Sequence, residues 1–116
     1  MGKLKIPRSK EQKTEKIRRS QAQEADCAER IGGAVVKGSG CGAEKGDVRL
    51  PRLVRVECKS TLKQSFSVTR EMIEKIEKTA LAAGEIPVLE VELAQEPKLR
   101  VVVVPVHALK LIIDLK

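Results

Sequence analysis

The strongest periodic signal in the chain runs over residues 68–83, where Val68, Met72, Ile73, Ile76, Ala80 and Ala83 recur on one helical face. Glu71 with Lys75 and Glu74 with Lys78 form i,i+4 pairs on the other face. Ser67 or Thr69 can cap the start, Gly84 closes the end, and Pro87 stands just beyond. A one-sided helix has to bury its apolar stripe against a second layer, and the segments flanking it read as strands. Before it, residues 47–50 and 53–58 form a hairpin joined through Pro51 and Arg52. After it come strands over 87–93 and 99–104, the latter apolar on both faces and therefore central or at an interface.

Weaker signals complete the order. Residues 20–31 read as a helix, with Ser20 at the cap and Gln23 at the capping-box position. Ala25, Cys27, Ala28 and Ile31 form its narrow apolar stripe, and Gly32-Gly33 stops it. Residues 34–37 make a short strand, followed by a loop over 38–46 rich in glycine. Residues 107–115 form a closing helix with Leu109, Ile112 and Ile113 facing inward. The expected class is α/β: a mixed five-stranded sheet flanked by helices, in the order α-β-β-β-α-β-β-α.

Charge divides the 116 residues unevenly. The whole chain carries +7, from 23 Lys and Arg against 16 Asp and Glu, and residues 1–19 alone carry +6. Those residues lack apolar periodicity, and Pro7 blocks an early helix, so they read as a basic arm, disordered or ordered on binding. Residues 20–116 read as one nearly neutral domain. An arm of this charge suits phosphates, or simply solubility.

Composition excludes several function classes. One Phe and no Trp or Tyr leave nothing on which to stack exposed bases, which excludes single-strand-coating modules. Cys27, Cys41 and Cys58 are widely spaced, with no C-x-x-C and only His107 beside them, so a structural zinc site is not expected. Unpaired thiols without a signal peptide suggest a reducing cytoplasm. The longest apolar run, 101–106, is too short for a bilayer, so no membrane partner is expected. Lys45 is followed by neither Ser nor Thr nor a helix, so the glycine loop is no P-loop, and no nucleotide cofactor is expected.

The strand over 53–58 carries the chemistry. Period-two alternation puts Val54, Val56 and Cys58 on one face and Leu53, Arg55, Glu57 and Lys59 on the other. Asp47 opens one strand of the hairpin and Glu57 closes its partner, so the two carboxylates can converge at the same end. Two carboxylates, a nearby ammonium and the backbone carbonyl of Cys58 suit an oxygen-ligated divalent ion such as Mg²⁺, with Mn²⁺ able to substitute. For phosphodiester hydrolysis, Lys59 can orient or deprotonate the attacking water, or offset charge on the oxyanion. The same spacing arises on the solvated face of an edge strand, so spacing alone leaves both readings open.

The run Gly46-Asp47 with Val56-Glu57-Cys58-Lys59-Ser60-Thr61 resembles the signature of the PD-(D/E)-x-K nuclease superfamily, Gly46 standing where the name has Pro. Within it, the chain resembles archaeal-type Holliday junction resolvases and their phage relatives. Ala22-Gln23-Glu24, Val35-Val36-Lys37-Gly38-Ser39 and Gly84-Glu85-Ile86-Pro87-Val88 extend the likeness over residues 20–93. The resemblance implies a restriction-endonuclease-like fold, with Asp47 and Glu57 as metal carboxylates and Lys59 as catalytic lysine. It implies Glu24 as an additional helix-borne acid, with Glu29 as its competitor. Lys37, Ser39 and Thr61 would lie near the scissile phosphate, and Lys45, Arg49, Arg52 and Arg55 would add attraction for DNA. The implied protein is a cytoplasmic homodimer of DNA recombination and repair, in the host cytoplasm if phage-encoded. It would resolve four-way junctions by symmetric paired cleavage. A nicking or restriction-like enzyme on duplex DNA, or a non-catalytic DNA-binding protein on a degenerate nuclease fold, are the alternatives.

Overall fold

In the computed structural model, residues 10–36 and 47–114 are described. They form α1 (Lys10–Ile31), β1 (Ala34–Val36), β2 (Asp47–Leu50), β3 (Val54–Thr61), α2 (Arg70–Ala82), β4 (Ile86–Leu93), β5 (Leu99–Val103) and α3 (Val106–Ile113). The sheet order is β1-β2-β3-β4-β5. β3 and β4 pair in parallel because α2 carries the chain back across the sheet between them; every other pair is antiparallel. The sheet is thus mixed, five-stranded and flanked by helices, in the order the sequence predicts. No helix among the described residues is long and apolar enough to cross a membrane.

Alternation in the strands divides the core into two layers. On one face Val48, Val56, Cys58, Ile86 and Val88 pack with Cys27 and Ala28 of α1 and Ala108 of α3. On the other, Leu89 and Val91 pack with Ile76 of α2, with Phe66, Met72 and Ile73 at the margin. Cys27 and Ala28, two small residues of the expected stripe, let α1 lie close to the sheet, while Ala25 is exposed and Gln23 and Glu24 take the buried face instead. Thr69 caps α2, its hydroxyl accepting from the Met72 N–H at 3.1 Å. Gly84 ends the helix at φ +73°, a left-handed conformation that glycine adopts without a Cβ clash.

Four expectations change. α1 begins at Lys10 rather than Ser20, so the composition step at residue 20 falls inside a helix and Ser20 caps nothing. Residues 10–19 are rich in Lys, Glu, Gln and Arg, strong helix formers that need no apolar stripe once a packed helix follows. Arg19 anchors this half, its Nε donating to Ser60 Oγ at 2.9 Å. Residues 1–9 of the expected arm lie outside the described residues. β3 runs on to Thr61, so Glu57 is interior to it. Of the two placements expected for β5 the central one falls: among the described residues it is an edge strand paired with β4 alone, with Val101 and Val102 exposed. In α3, Ala108 is buried and Ile112 packs beside it, whereas Leu109 and Ile113 are half exposed. Residues 108/112 and 109/113 are adjacent i,i+4 stripes, and only one of them can face the sheet.

The turn from α1 into β1 is close to β2. A Cβ on Gly33 would overlap the Arg49 carbonyl oxygen, a backbone atom that cannot rotate away. Gly33→Ala is therefore expected to destabilise the protein by about 1–3 kcal/mol, the usual range for forced overpacking. Urea denaturation checks this; an unchanged midpoint would contradict the close approach.

Candidate functional site

β2 and β3 set Asp47 directly opposite Glu57 in antiparallel register. Directly opposed residues share a face, so two carboxylates stand side by side, an arrangement that repels unless something offsets it. The offsets are cationic. Lys59 Nζ lies 3.4 Å from Glu57 Oε2, and Arg55 Nη1 donates to Asp47 Oδ2 at 3.0 Å. These four side chains line a cleft whose opposite wall is α2, through Thr69, Glu71, Met72, Lys75, Ile76 and Thr79.

Compensation is incomplete. With both carboxyls ionised, Asp47 Oδ1 is buried and receives no hydrogen bond among the described residues. Burial, a hydrogen bond with Asp47 and the Asp47 charge push the Glu57 carboxyl up to about 7, against a smaller opposing pull from Lys59. Glu24 approaches from α1, on the other side of the sheet. It is buried, its Oε2 also lacks a partner among the described residues, and burial followed by the charge of Asp47 raises its pKa. The opposed carboxylates of Asp47 and Glu57 offer the hard oxygen donors that Mg²⁺ or Mn²⁺ takes, whereas Glu24 is not gathered with them into one ligand cluster among the described residues. Cys58, the next residue along β3, lies beyond the last β2-paired position.

Asp47, Glu57, Lys59 and Arg55 are brought together in the cleft, and Glu24 acts on it through Asp47. Glu29 is exposed on α1 and shares none of these contacts. Thr61 ends β3, its hydroxyl accepting from the Lys63 N–H at 3.1 Å. Arg49 and Arg55, expected as DNA contacts, both bind the buried carboxylate of Glu85. Lys37, Ser39 and Lys45 lie outside the described residues.

Sequence reasoning overlooked a set of buried acids on and beside β4. Glu85, Glu90 and Glu92 are each no more than 2 % exposed. Glu90 accepts from Arg30 Nη1 at 2.8 Å and from Gln23 Nε2 at 3.3 Å, and Glu92 from Ser60 Oγ at 2.8 Å and Arg100 Nη2 at 2.8 Å. Arg100 also reaches Asp26. Strand parity could have found two of them: Glu90 and Glu92 share the face of Ile86 and Val88, which points into the core. Cys27 Sγ, Cys58 Sγ and a Glu90 oxygen lie within 4.8 Å of one another. Glu90 is already neutralised by Arg30, so this trio is a satisfied joint between α1 and the sheet.

No family model, curated protein or solved structure matches the chain.

Proposed function

We propose that the chain is a divalent-metal-dependent DNA endonuclease of the junction-resolving type, built on a restriction-endonuclease-like fold. The observation that carries this reading is the cross-strand pair Asp47–Glu57, with a buried oxygen on Asp47 that has no partner among the described residues and Lys59 two residues further along β3. Asp47, Glu57 and the Cys58 backbone carbonyl would hold the ion, with Glu24 adding charge from behind. Bound there, Mg²⁺ would supply a more acidic water and offset charge growing on the phosphorus oxygens.

The chain's own residues do the rest. Lys59 is 39 % exposed at the cleft, so its ammonium can reach a phosphate oxygen or the attacking water as well as Glu57. Glu57, with its pKa near 7, can hold or release a proton at neutral pH, although an ion on it would keep it ionised. With Arg49 and Arg55 engaged by Glu85, attraction for the DNA backbone falls to Lys75 on the cleft wall and to exposed Lys13 and Lys16 on α1. Exposed Val101, Val102, Leu109 and Ile113, on the edge strand and closing helix, support a homodimer, which would set two such sites at a fixed separation. The setting in this reading is the cytoplasm.

Cleavage of a synthetic four-way junction, compared with linear duplex of identical sequence in Mg²⁺, tests the proposal. Paired symmetric nicks on the junction are expected, with little cutting of duplex. Equal cutting of both would indicate a duplex-nicking enzyme. No cutting of either, in Mg²⁺ or Mn²⁺, would indicate a DNA-binding protein on a degenerate nuclease fold.

A further inference from the structure

Glu85 stands just before β4 with its side chain wholly buried, and four donor groups from three residues converge on it, Arg49 using both Nε and Nη2. Arg49 Nε donates to Oε2 at 2.8 Å, the Arg52 N–H to Oε2 at 3.2 Å, and Arg55 Nε to Oε1 at 3.3 Å. Arg52 sits at φ +69°, a conformation that side chains resist, and its N–H bond to Glu85 holds that turn. Two guanidiniums around one carboxylate leave an excess positive charge. Asp47 balances it, because Arg55 turns its Nη1 to Asp47 Oδ2 while keeping Nε on Glu85.

We propose that Arg55 is the positioning residue of the site: anchored by Glu85, it clamps Asp47 Oδ2 and leaves Oδ1 as the oxygen available to a cation. This rests on the metal-dependent reading above. A rigid guanidinium fork can bridge two carboxylates at once; an ammonium cannot match that geometry. Arg55 also sets the electrostatics of the site. A positive charge in direct contact with a metal-binding carboxylate competes with the metal, so the clamp exchanges some cation affinity for a fixed ligand direction. Arg49 has no such role, since it shares the Glu85 anchor but does not touch Asp47 among the described contacts.

That contrast supplies the test. Calcium binding to the full chain is measured by calorimetry, without DNA, for the wild type, Arg55→Gln, Arg55→Lys and Arg49→Gln. Mg²⁺-dependent cleavage is measured in parallel at saturating metal. Arg55→Gln is expected to bind Ca²⁺ about tenfold more tightly, because a contacting positive charge is gone. It should nevertheless cleave at least about tenfold more slowly, because Asp47 is no longer held. Arg55→Lys should restore the Ca²⁺ affinity to near wild type while remaining slow. Arg49→Gln should change Ca²⁺ affinity by less than about twofold, because its charge lies one carboxylate further away.

Equal changes in Arg55→Gln and Arg49→Gln, or none in either, would overturn the assignment in favour of a purely structural arginine. If Arg55→Gln does not fold, Arg55→Lys decides alone: slow turnover at unchanged Ca²⁺ affinity supports the clamp, and wild-type turnover overturns it. A wild-type protein that binds no Ca²⁺ would remove the metal reading itself. One that binds Ca²⁺ in the expected pattern but cuts no DNA would remove only the nuclease reading.

Discussion

Asp47→Ala is expected to abolish Mg²⁺-dependent cleavage, a loss of about a thousandfold or more, while the protein stays folded and still binds branched DNA. Asp47 is the register partner of Glu57 and carries the orphaned oxygen, so its removal takes away half of the carboxylate pair that would hold the ion. Effects on the fold should nearly cancel. Arg55 loses one of its two carboxylates, but the repulsion between Asp47 and Glu57 disappears with it. Gel assays on a labelled junction, paired with a thermal melt, separate the two effects. Cleavage at the wild-type rate by a folded variant would sink the assignment of the site.

The second large effect is a pH dependence of the metal-free protein. Glu57 has an ordinary pKa of 4.5 in the unfolded chain and about 7 in the folded one. Between those values the native state holds a proton that the unfolded state has released, so stability falls as pH rises through that window. The shift corresponds to an upper bound on the order of 3 kcal/mol, complete above about pH 7. Glu24, raised by burial and by Asp47, acts in the same direction. Glu85 and Glu90 act oppositely: burial pushes each upward, but their arginine and other hydrogen-bond donors together outweigh it and hold them below the usual range, so their contribution is lost as pH falls below about 4.5. Denaturation of the metal-free protein should therefore show greatest stability near pH 5 and a decline toward pH 8. Saturating Mg²⁺ should reverse the decline, and Glu57→Gln should flatten it. A stability profile that rises from pH 5 to 8 without metal would contradict the crowding of Asp47 and Glu57.

Much of the site could be read locally. Alternation along β3 put Glu57 and Lys59 on one face, because a strand's parity depends only on its own backbone. The same parity, applied to β4, would have marked Glu90 and Glu92 as buried acids in need of partners. Arg49 and Arg55 were harder to read. A basic side chain on a strand looks like a phosphate contact, and the carboxylate that engages both lies 36 and 30 residues further along the chain. Glu85 itself carries no periodic signal, since it precedes the strand. The start of α1 at Lys10 is illegible for a different reason: residues 10–19 are helical by propensity rather than by periodicity.

The sequence by itself determined the order of the elements, the two faces of the central strands and the carboxylates and lysine that stand on one of them. These follow from short-range rules of backbone geometry and apolar spacing. Only the tertiary structure decided the rest: that Asp47 pairs in register with Glu57, and that Glu24 sits close enough to feel its charge. It also decided that Arg55 bridges Glu85 and Asp47, and that β5 lies at an edge with its apolar side chains exposed. Those outcomes depend on which distant groups share a buried space. A buried charge takes its partner from whatever the fold brings within reach, and that choice is written in no local pattern.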